Sequence, residues 1–237
     1  MKKRIWELDA FRGICILGMV AVHFVYDLVE LYGIWAWEYP AWFSLVQHWG
    51  GVLFLLLSGI CVTLGSQSVR RGLIVFACGL VVSAVTVGMY LLNLQDRSIL
   101  IYFGVLHCLG VCMILWPVFR RLPWQALAAL GVAMAAAGLY LRTLPGVSFP
   151  WLMPLGLPWE DFYSSDYFPL LPNLGYFLIG AALGRTLYRK KESLLPRVNA
   201  DAPVLRFLTL CGRHSLWIYL LHQPVLSLIC VILMQLL

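Results

Sequence analysis

Charged residues are scarce in this sequence. Asp, Glu, Lys and Arg together make up 12% of its 237 residues, whereas hydrophobic residues make up 62%. The mean hydropathy of +0.85 excludes a soluble globular domain of this size, so the composition predicts an integral membrane protein. A retinal photoreceptor is excluded because it needs a Schiff-base lysine within a span. The lysines all lie outside the apolar runs, at Lys2, Lys3, Lys190 and Lys191.

Other features are missing as well. The sequence has no internal repeat, which argues against the inverted-repeat plan of many transporters. The basic start lacks a small-residue cleavage site and leads into a long apolar run, so we expect the first span to remain in the mature protein. The seven cysteines lie in or beside apolar stretches, where they are typical of small hydrophobic side chains. We therefore expect neither a disulfide framework nor a metal site.

Apolar runs of about 20 residues predict an all-α fold, a polytopic transmembrane helix bundle with about seven spans. The spans are expected near residues 10–32, 43–66, 72–94, 99–119, 123–142, 168–187 and 214–236. Arginine and lysine are concentrated in alternate loops, which by the positive-inside rule places the amino terminus in the cytoplasm and the carboxyl terminus outside. Residues 1–237 are interpreted as a single transmembrane domain.

Two segments are not simple spans. Residues 144–167 are rich in proline, glycine and aromatic residues, and we expect them to form a cap or a shallow re-entrant loop on the outer face. Residues 188–213 are predicted to lie on the cytoplasmic surface. Within them Asp201 is expected to cap a short amphipathic helix.

The first span carries ionisable residues at membrane depth, where they are costly and usually functional. Arg12 and His23 are eleven residues apart. At about 100° per residue they lie about 20° apart around a helix and about 16 Å apart along it. By the same arithmetic Asp9 lies about 40° from His23, and Asp27 follows His23 by one turn. The sequence therefore predicts one polar stripe along this helix.

Two interpretations of the stripe are open. In the first, Asp9 and Arg12 form a local ion pair, and His23 hydrogen-bonds to Asp27 as part of helix packing. In the second, Arg12 holds one end of an elongated anionic ligand near the cytoplasm and His23 acts on the far end as a general base. Asp27 would then fix the tautomer of His23 and stabilise the imidazolium.

Three further histidines are predicted to reach the membrane interior from other spans. His48 lies in the second span, His107 in the fourth, and His222, next to Gln223, in the seventh. Any one of them alone is typical of a packing residue. Together with the stripe of the first span, they indicate a polar cavity.

Several stretches resemble, in order, the catalytic domain of heparan-alpha-glucosaminide N-acetyltransferase and its bacterial relatives. They are "ELDAFRGICILGMVAVHFVYDL" (7–28), "GVLFLLLSGICVTL" (51–64), "IYFGVLHCLG" (101–110), "LGYFLIGAALG" (174–184) and "GRHSLWIYLLHQPV" (212–225). The spacing of Arg12 and His23 is also a signature of the wider transmembrane acyltransferase superfamily, and the closing Ser-Leu-x-x-Tyr-x-x-His pattern recurs there. The resemblance implies a bacterial member of the family, a multi-pass protein of the inner membrane.

The resemblance also implies an activity: acyl transfer from cytoplasmic acetyl-CoA to an extracytoplasmic acceptor, a sugar or glycan. Acetyl-CoA is the expected donor, and the other expected partners are the acceptor, the lipid bilayer and, by analogy, a second copy in a homodimer, with no nucleic acid. Arg12, with Asp9 beside it, would bind the donor phosphates. His23, oriented by Asp27, would deprotonate the acceptor or carry the acetyl group as a nucleophile. The other substrate-binding candidates are His48, His107, His222 and Gln223.

The chain departs from the animal members of the family, which carry additional spans and a luminal domain. Those enzymes have asparagine at the position that matches His23 and a catalytic histidine in the following outer loop. Because His48 is the nearest histidine downstream, the base is either His23 or His48, and we favour His23.

Two other classes of function stay open. A transporter of a lipid or a small anion would use the polar stripe of the first span without covalent change. A haem-binding electron carrier would use His107 and His222 as axial ligands.

Overall fold

The structure is a computed structural model, and it describes residues 4–236 apart from the side chains of Ala41 and His48. Within that range the fold is helical and contains no β-strand, as the sequence predicts. The helices are α1 (Trp6–Tyr26), α2 (Ala41–Leu64), α3 (Ser68–Leu91), α4 (Val105–Phe119), α5 (Trp124–Leu141), α6 (Leu170–Leu187), α7 (Pro203–Arg213) and α8 (Ser215–Leu236). A π-helical turn, Asp27–Leu31, continues α1, and short 3₁₀ turns follow α3 and α5 at Arg97–Ile99 and Pro150–Leu155.

Each predicted span corresponds to one of α1 to α6 or to α8. Among the described residues, five stretches are long and apolar enough to cross a membrane: Trp6–Leu31, Trp42–Leu64, Ser68–Leu91, Trp124–Leu141 and Ser215–Leu236. α4 is apolar but has only 15 residues, and α6 carries Asn173 and Arg185 near its ends. The polytopic helical fold is therefore confirmed. The count of seven spans and the sides of the two termini stay predictions.

The described chain divides into two compact units. The first comprises the described residues up to Phe54 and from Lys191 onward, and it holds α1, the beginning of α2, α7 and α8. The second comprises Leu55–Lys190 and holds the rest of α2 together with α3 to α6. The single domain expected over residues 1–237 stays a prediction.

In the first unit, α1 and α7 cross at two glycines. A Cβ atom on Gly212 would lie 1.7 Å from the backbone oxygen of Asp9, and one on Gly13 would lie 2.0 Å from that of Leu208. Because no side chain fits in these gaps, glycine is required for the two backbones to approach so closely. This crossing fixes the carboxyl-terminal end of α7 against the first turns of α1.

The start of α7 differs from the prediction. The helix begins at Pro203, and its N-cap residue is Ala202, which offers no side-chain hydrogen bond. The expectation that Asp201 caps this helix is therefore wrong. Proline at the first helical position has the φ angle that a helix needs and no N–H that requires a partner, so the boundary falls one residue later than a cap by Asp201 would require.

In the second unit, the end of α2 packs closely on α6. A Cβ atom on Gly59 would lie 2.0 Å from the backbone oxygen of Phe177, and one on Gly180 would lie 2.0 Å from that of Leu56. The small residues near the end of the "GVLFLLLSG" stretch (51–59) therefore serve helix packing. This is the role that a run of small residues in a membrane helix usually has.

The connection between α5 and α6, which contains the predicted outer loop 144–167, folds back on itself. The Val147 amide donates to the Pro158 carbonyl over 3.0 Å, and the Tyr167 hydroxyl donates to the Met153 carbonyl over 2.7 Å. Burial raises the pKa of Tyr167 to about 12. The loop is thus a structured element of the second unit.

Candidate active site

α1 holds the polar stripe that the sequence predicts. The helix is α-helical without interruption from Trp6 to Tyr26, so the side chains of Arg12 and His23 leave it about 20° apart and about 16 Å apart along the axis. Both residues are partly buried.

At the amino-terminal end, a buried carboxylate lies among three guanidinium groups. Asp9 is only 7% exposed. Its Oδ1 lies 3.5 Å from Arg12 Nη1, and its Oδ2 lies 3.4 Å from Arg213 Nε and 4.0 Å from Arg4 Nε. The local Asp9–Arg12 pair agrees with the first of the two interpretations of the stripe, and the cluster as a whole has an excess of positive charge.

Two members of this cluster, Arg4 and Arg213, are not predicted from the sequence. The basic stretch that contains Arg4 predicts only the membrane topology, and the sequence assigns no role to Arg213. The glycine that precedes Arg213 is the signal that was available, since Gly212 is the residue that lets α7 lie against α1. Spacing along the chain could not reveal this, because Arg213 lies 204 residues from Asp9.

At the other end of the stripe, two imidazole rings meet. The ring centroids of His23 and His222 are 5.0 Å apart, and the rings are inclined by 76°. His23 Nδ1 lies 2.9 Å from the Met19 carbonyl oxygen, and His222 Nδ1 contacts the Tyr219 carbonyl oxygen. Because a carbonyl oxygen only accepts hydrogen bonds, Nδ1 carries the proton in each neutral ring and Nε2 keeps its lone pair. The site therefore contains two nitrogens able to accept a proton.

Asp27 lies beside this pair but has a different partner from the one predicted. It is fully buried, and both of its carboxylate oxygens lie 2.9 Å from Nε2 of Gln223. His23 Nδ1 donates the hydrogen bond that fixes its tautomer to the Met19 carbonyl oxygen, so the expectation that Asp27 fixes this tautomer is wrong. Asp27 opens the π-helical turn and lies one turn beyond His23, where its charge can still stabilise an imidazolium through space.

The oxygen of the Gln223 amide differs from its nitrogen in its contacts. Its Nε2 donates to Asp27, while its Oε1 is buried and has no hydrogen-bond partner among the described residues. A buried acceptor without a partner is costly. This oxygen is therefore able to accept a hydrogen bond from a molecule bound next to the histidines.

The remaining predicted histidines are not part of this cluster as described. The side chain of His48 lies outside the described residues, although its backbone is part of α2. His107 belongs to the second unit, where its ring lies between Phe103 and Phe76, with centroids 5.5 and 5.4 Å away. Its Nδ1 accepts from the Gly104 amide over 3.2 Å, which helps to cap α4. Its Nε2 is buried and has no partner in the described range.

The contacts of His107 bear on the haem alternative. Since Nδ1 accepts a hydrogen bond, the proton of the neutral ring lies on Nε2, which then has no lone pair for iron. This tautomer argues against His107 as an axial ligand. In the described part of the chain, no group of three or more His, Cys, Asp or Glu side chains is arranged to hold a metal ion.

Comparison with known proteins gives a match to a family. The family described as "Heparan-alpha-glucosaminide N-acetyltransferase, catalytic" matches residues 4–224, which include both ends of the polar stripe and the His222–Gln223 pair. No curated protein and no solved structure matches the chain.

Proposed function

This chain belongs to the heparan-alpha-glucosaminide N-acetyltransferase catalytic family, and we propose that it transfers the acetyl group of cytoplasmic acetyl-CoA to a sugar or glycan on the other side of a membrane. Membership makes it part of a membrane acetyltransferase family. The donor, the acceptor and the location in a bacterial inner membrane belong to the proposal, as do the roles of the site residues.

The observation that carries the proposal is the geometry of α1. A cation and an imidazole lie on the same side of one unbroken helix, about 16 Å apart. The pantetheine arm of acetyl-CoA is roughly 15 Å long when extended, at about 3.5 Å for every three backbone bonds. A donor whose phosphates contact Arg12 therefore reaches His23 with its thioester.

At the thioester, His23 acts through Nε2. This nitrogen takes the proton of an acceptor hydroxyl or amine while the acceptor oxygen or nitrogen attacks the carbonyl carbon. The tetrahedral intermediate then collapses with cleavage of the carbon–sulfur bond. The thiolate of coenzyme A leaves and receives the proton from the imidazolium. The Met19 carbonyl holds Nδ1, so the ring presents the same nitrogen throughout.

A second possible mechanism uses His23 Nε2 as a nucleophile. His23 Nε2 attacks the thioester, coenzyme A leaves, and the acetyl-imidazole then acetylates the acceptor. In that mechanism His222, whose ring centroid lies 5.0 Å from that of His23, takes the acceptor proton. In both mechanisms Asp27 stabilises positive charge on His23, and the free Oε1 of Gln223 accepts a hydrogen bond from the acceptor.

The proposal is tested by acetyl transfer with purified protein in liposomes. Radiolabelled acetyl-CoA is supplied on one side, and glucosamine serves as the acceptor probe. We expect His23→Gln to lower the turnover by about 10²- to 10⁴-fold, the usual contribution of a general base, with little change in the affinity for acetyl-CoA. Arg12→Gln should weaken the affinity for acetyl-CoA.

The matched control is His214→Gln, since His214 is an exposed histidine at the end of α7. This variant should behave like the wild type. Normal turnover in His23→Gln would overturn the assigned chemistry. If a labelled substrate crosses the membrane without being acetylated, the result would favour the transporter hypothesis over the enzyme hypothesis.

A further inference from the structure

We propose that Arg4 and Arg213 complete, with Arg12, a phosphate clamp organised by Asp9, and that this clamp selects donor nucleotides that carry a phosphate monoester on the ribose. The inference rests on the proposed function and deepens it. It assigns binding roles to two arginines, Arg4 and Arg213, whose binding roles are not predictable from spacing along the chain. In this proposal Asp9 does not contact the ligand but positions the three guanidinium groups.

The charge balance of the cluster supports an anionic ligand. One carboxylate contacts three guanidinium groups, and its single negative charge is already matched by the local pair with Arg12. A largely buried carboxylate is tolerated in a folded protein when charged groups pair with it. Arg4 and Arg213 add two further positive charges, and a phosphate monoester near neutral pH carries about two negative charges.

The atoms that make the contacts matter as much as the charge. Arg4 and Arg213 both approach Asp9 through Nε, at 4.0 and 3.4 Å. The contacts described for these two residues do not use the terminal Nη groups, and both side chains are well exposed, at 64% and 43%. The Nη groups form part of the planar fork that binds phosphate in a bidentate way.

The fold holds the clamp in place before a ligand arrives. Gly212 places the backbone of α7 against the Asp9 carbonyl, and Arg213 is the next residue. Asp9 is itself buried on the adjoining turn of α1. Because both backbones are fixed by packing and both guanidinium groups already contact Asp9, a ligand has to order these side chains less, which lowers the entropy cost of binding.

Coenzyme A has the matching chemistry. It carries a diphosphate next to the pantetheine arm and a separate 3′-phosphate on the ribose. With the thioester at His23, the diphosphate falls near Arg12, and the 3′-phosphate is then available to the exposed side chains of Arg4 and Arg213. The headgroup of an anionic lipid offers a phosphate as well, so the test must separate the two sources.

The experiment measures the affinities of the full chain in nanodiscs for coenzyme A and for dephospho-coenzyme A by calorimetry. We expect the wild type to bind coenzyme A at least tenfold more tightly, since a charge-assisted contact of this kind is worth about tenfold to a hundredfold in affinity. Arg213→Gln should lose most of that preference and bind the two ligands alike. Arg213→Lys, which keeps the charge but not the fork, should keep part of it.

The matched control is Arg206→Gln, which removes an exposed arginine from the same helix and should leave the preference intact. Size-exclusion profiles and melting temperatures establish that each variant is folded. A wild type without the preference, or an Arg213→Gln variant that retains it, overturns the clamp while the proposed function stands. No binding of coenzyme A by the folded wild type overturns both.

Lipid composition separates the two sources of phosphate. The measurements are repeated in nanodiscs of phosphatidylcholine alone and of phosphatidylcholine with phosphatidylglycerol. Equal preferences in the two lipids support a nucleotide site. If Arg213→Gln changes only the retention of phosphatidylglycerol, the cluster is a headgroup site and the clamp is overturned.

Discussion

Replacing Gln223 with leucine tests the pairing on which the carboxyl-terminal end of the stripe depends. Asp27 is fully buried, at 0% exposure, and the Gln223 amide is its described side-chain partner. Leucine has a similar volume but no donor. The substitution therefore leaves a buried carboxylate without a hydrogen bond and creates little empty space.

The expected cost follows from this geometry. Two contacts of 2.9 Å reach the carboxylate from one nitrogen, and a hydrogen bond to a charged group contributes about 1.5–3 kcal/mol. We expect the free energy of unfolding to fall by about 2–3 kcal/mol. At about 2–4 °C per kcal/mol for a chain of this size, the melting temperature should fall by about 4–12 °C.

A thermal unfolding assay in detergent with a thiol-reactive dye measures this change, with Gln47→Leu as the control. Gln47 is an exposed glutamine on α2, so its replacement should cost less than about 0.5 kcal/mol. In an Asp27→Asn background, Gln223→Leu should cost clearly less, because an unpaired amide is less expensive than an unpaired carboxylate. An unchanged melting temperature, or an equal cost in the two backgrounds, would refute the reasoning.

Three further predictions concern other parts of the fold. Gly212→Ala should separate α7 from α1, because its Cβ would lie 1.7 Å from the Asp9 carbonyl oxygen; we expect a loss of about 1–3 kcal/mol in thermal unfolding, and a variant as stable as the wild type would contradict the crossing. Asp166→Ala removes an acceptor that lies 3.0 Å from the Val105 amide at the start of α4 and should cost about 1 kcal/mol; a melting temperature equal to that of the wild type would argue against this cap. Burial raises the pKa of Tyr167 to about 12, whereas a tyrosine in the unfolded chain has a pKa of about 10. The unfolded chain therefore releases this proton first, and stability should fall as the pH rises from about 10 to about 12. The fall should be smaller in Tyr167→Phe, and equal pH profiles would show that the hydroxyl does not contribute.

The helices were predictable because hydrophobic length is a local property. An apolar run of about 20 residues in a chain this hydrophobic has few alternatives to a helix, since every backbone polar group must be satisfied within the segment. The predicted boundaries at 43–66 and 214–236 therefore fall within a few residues of α2 (Ala41–Leu64) and α8 (Ser215–Leu236). The start of α7 was predicted one residue too early. Aspartate favours the N-cap position and proline favours the first helical position, and in the structure Pro203 sets the boundary.

The polar stripe was predictable for the same kind of reason. The angle between Arg12 and His23 depends only on their spacing once a helix is given. The partner of Asp27 was not predictable, because Gln223 lies 196 residues away and only the packing of α8 brings it there. The π-helical turn at Asp27–Leu31 also depends on that packing, and the spacing of the apolar residues does not signal it.

The amino-acid sequence by itself determined that this chain is a helical membrane protein, which family it resembles, and which face of the first helix carries a cation and an imidazole. These properties follow from composition and from separations of a few turns. Only the tertiary structure decided which distant groups meet that face: Arg213 at Asp9, His222 at His23, and Gln223 at Asp27. The physical reason is that such meetings depend on close contacts between helices far apart in the chain, and those contacts exist only once the helices have packed.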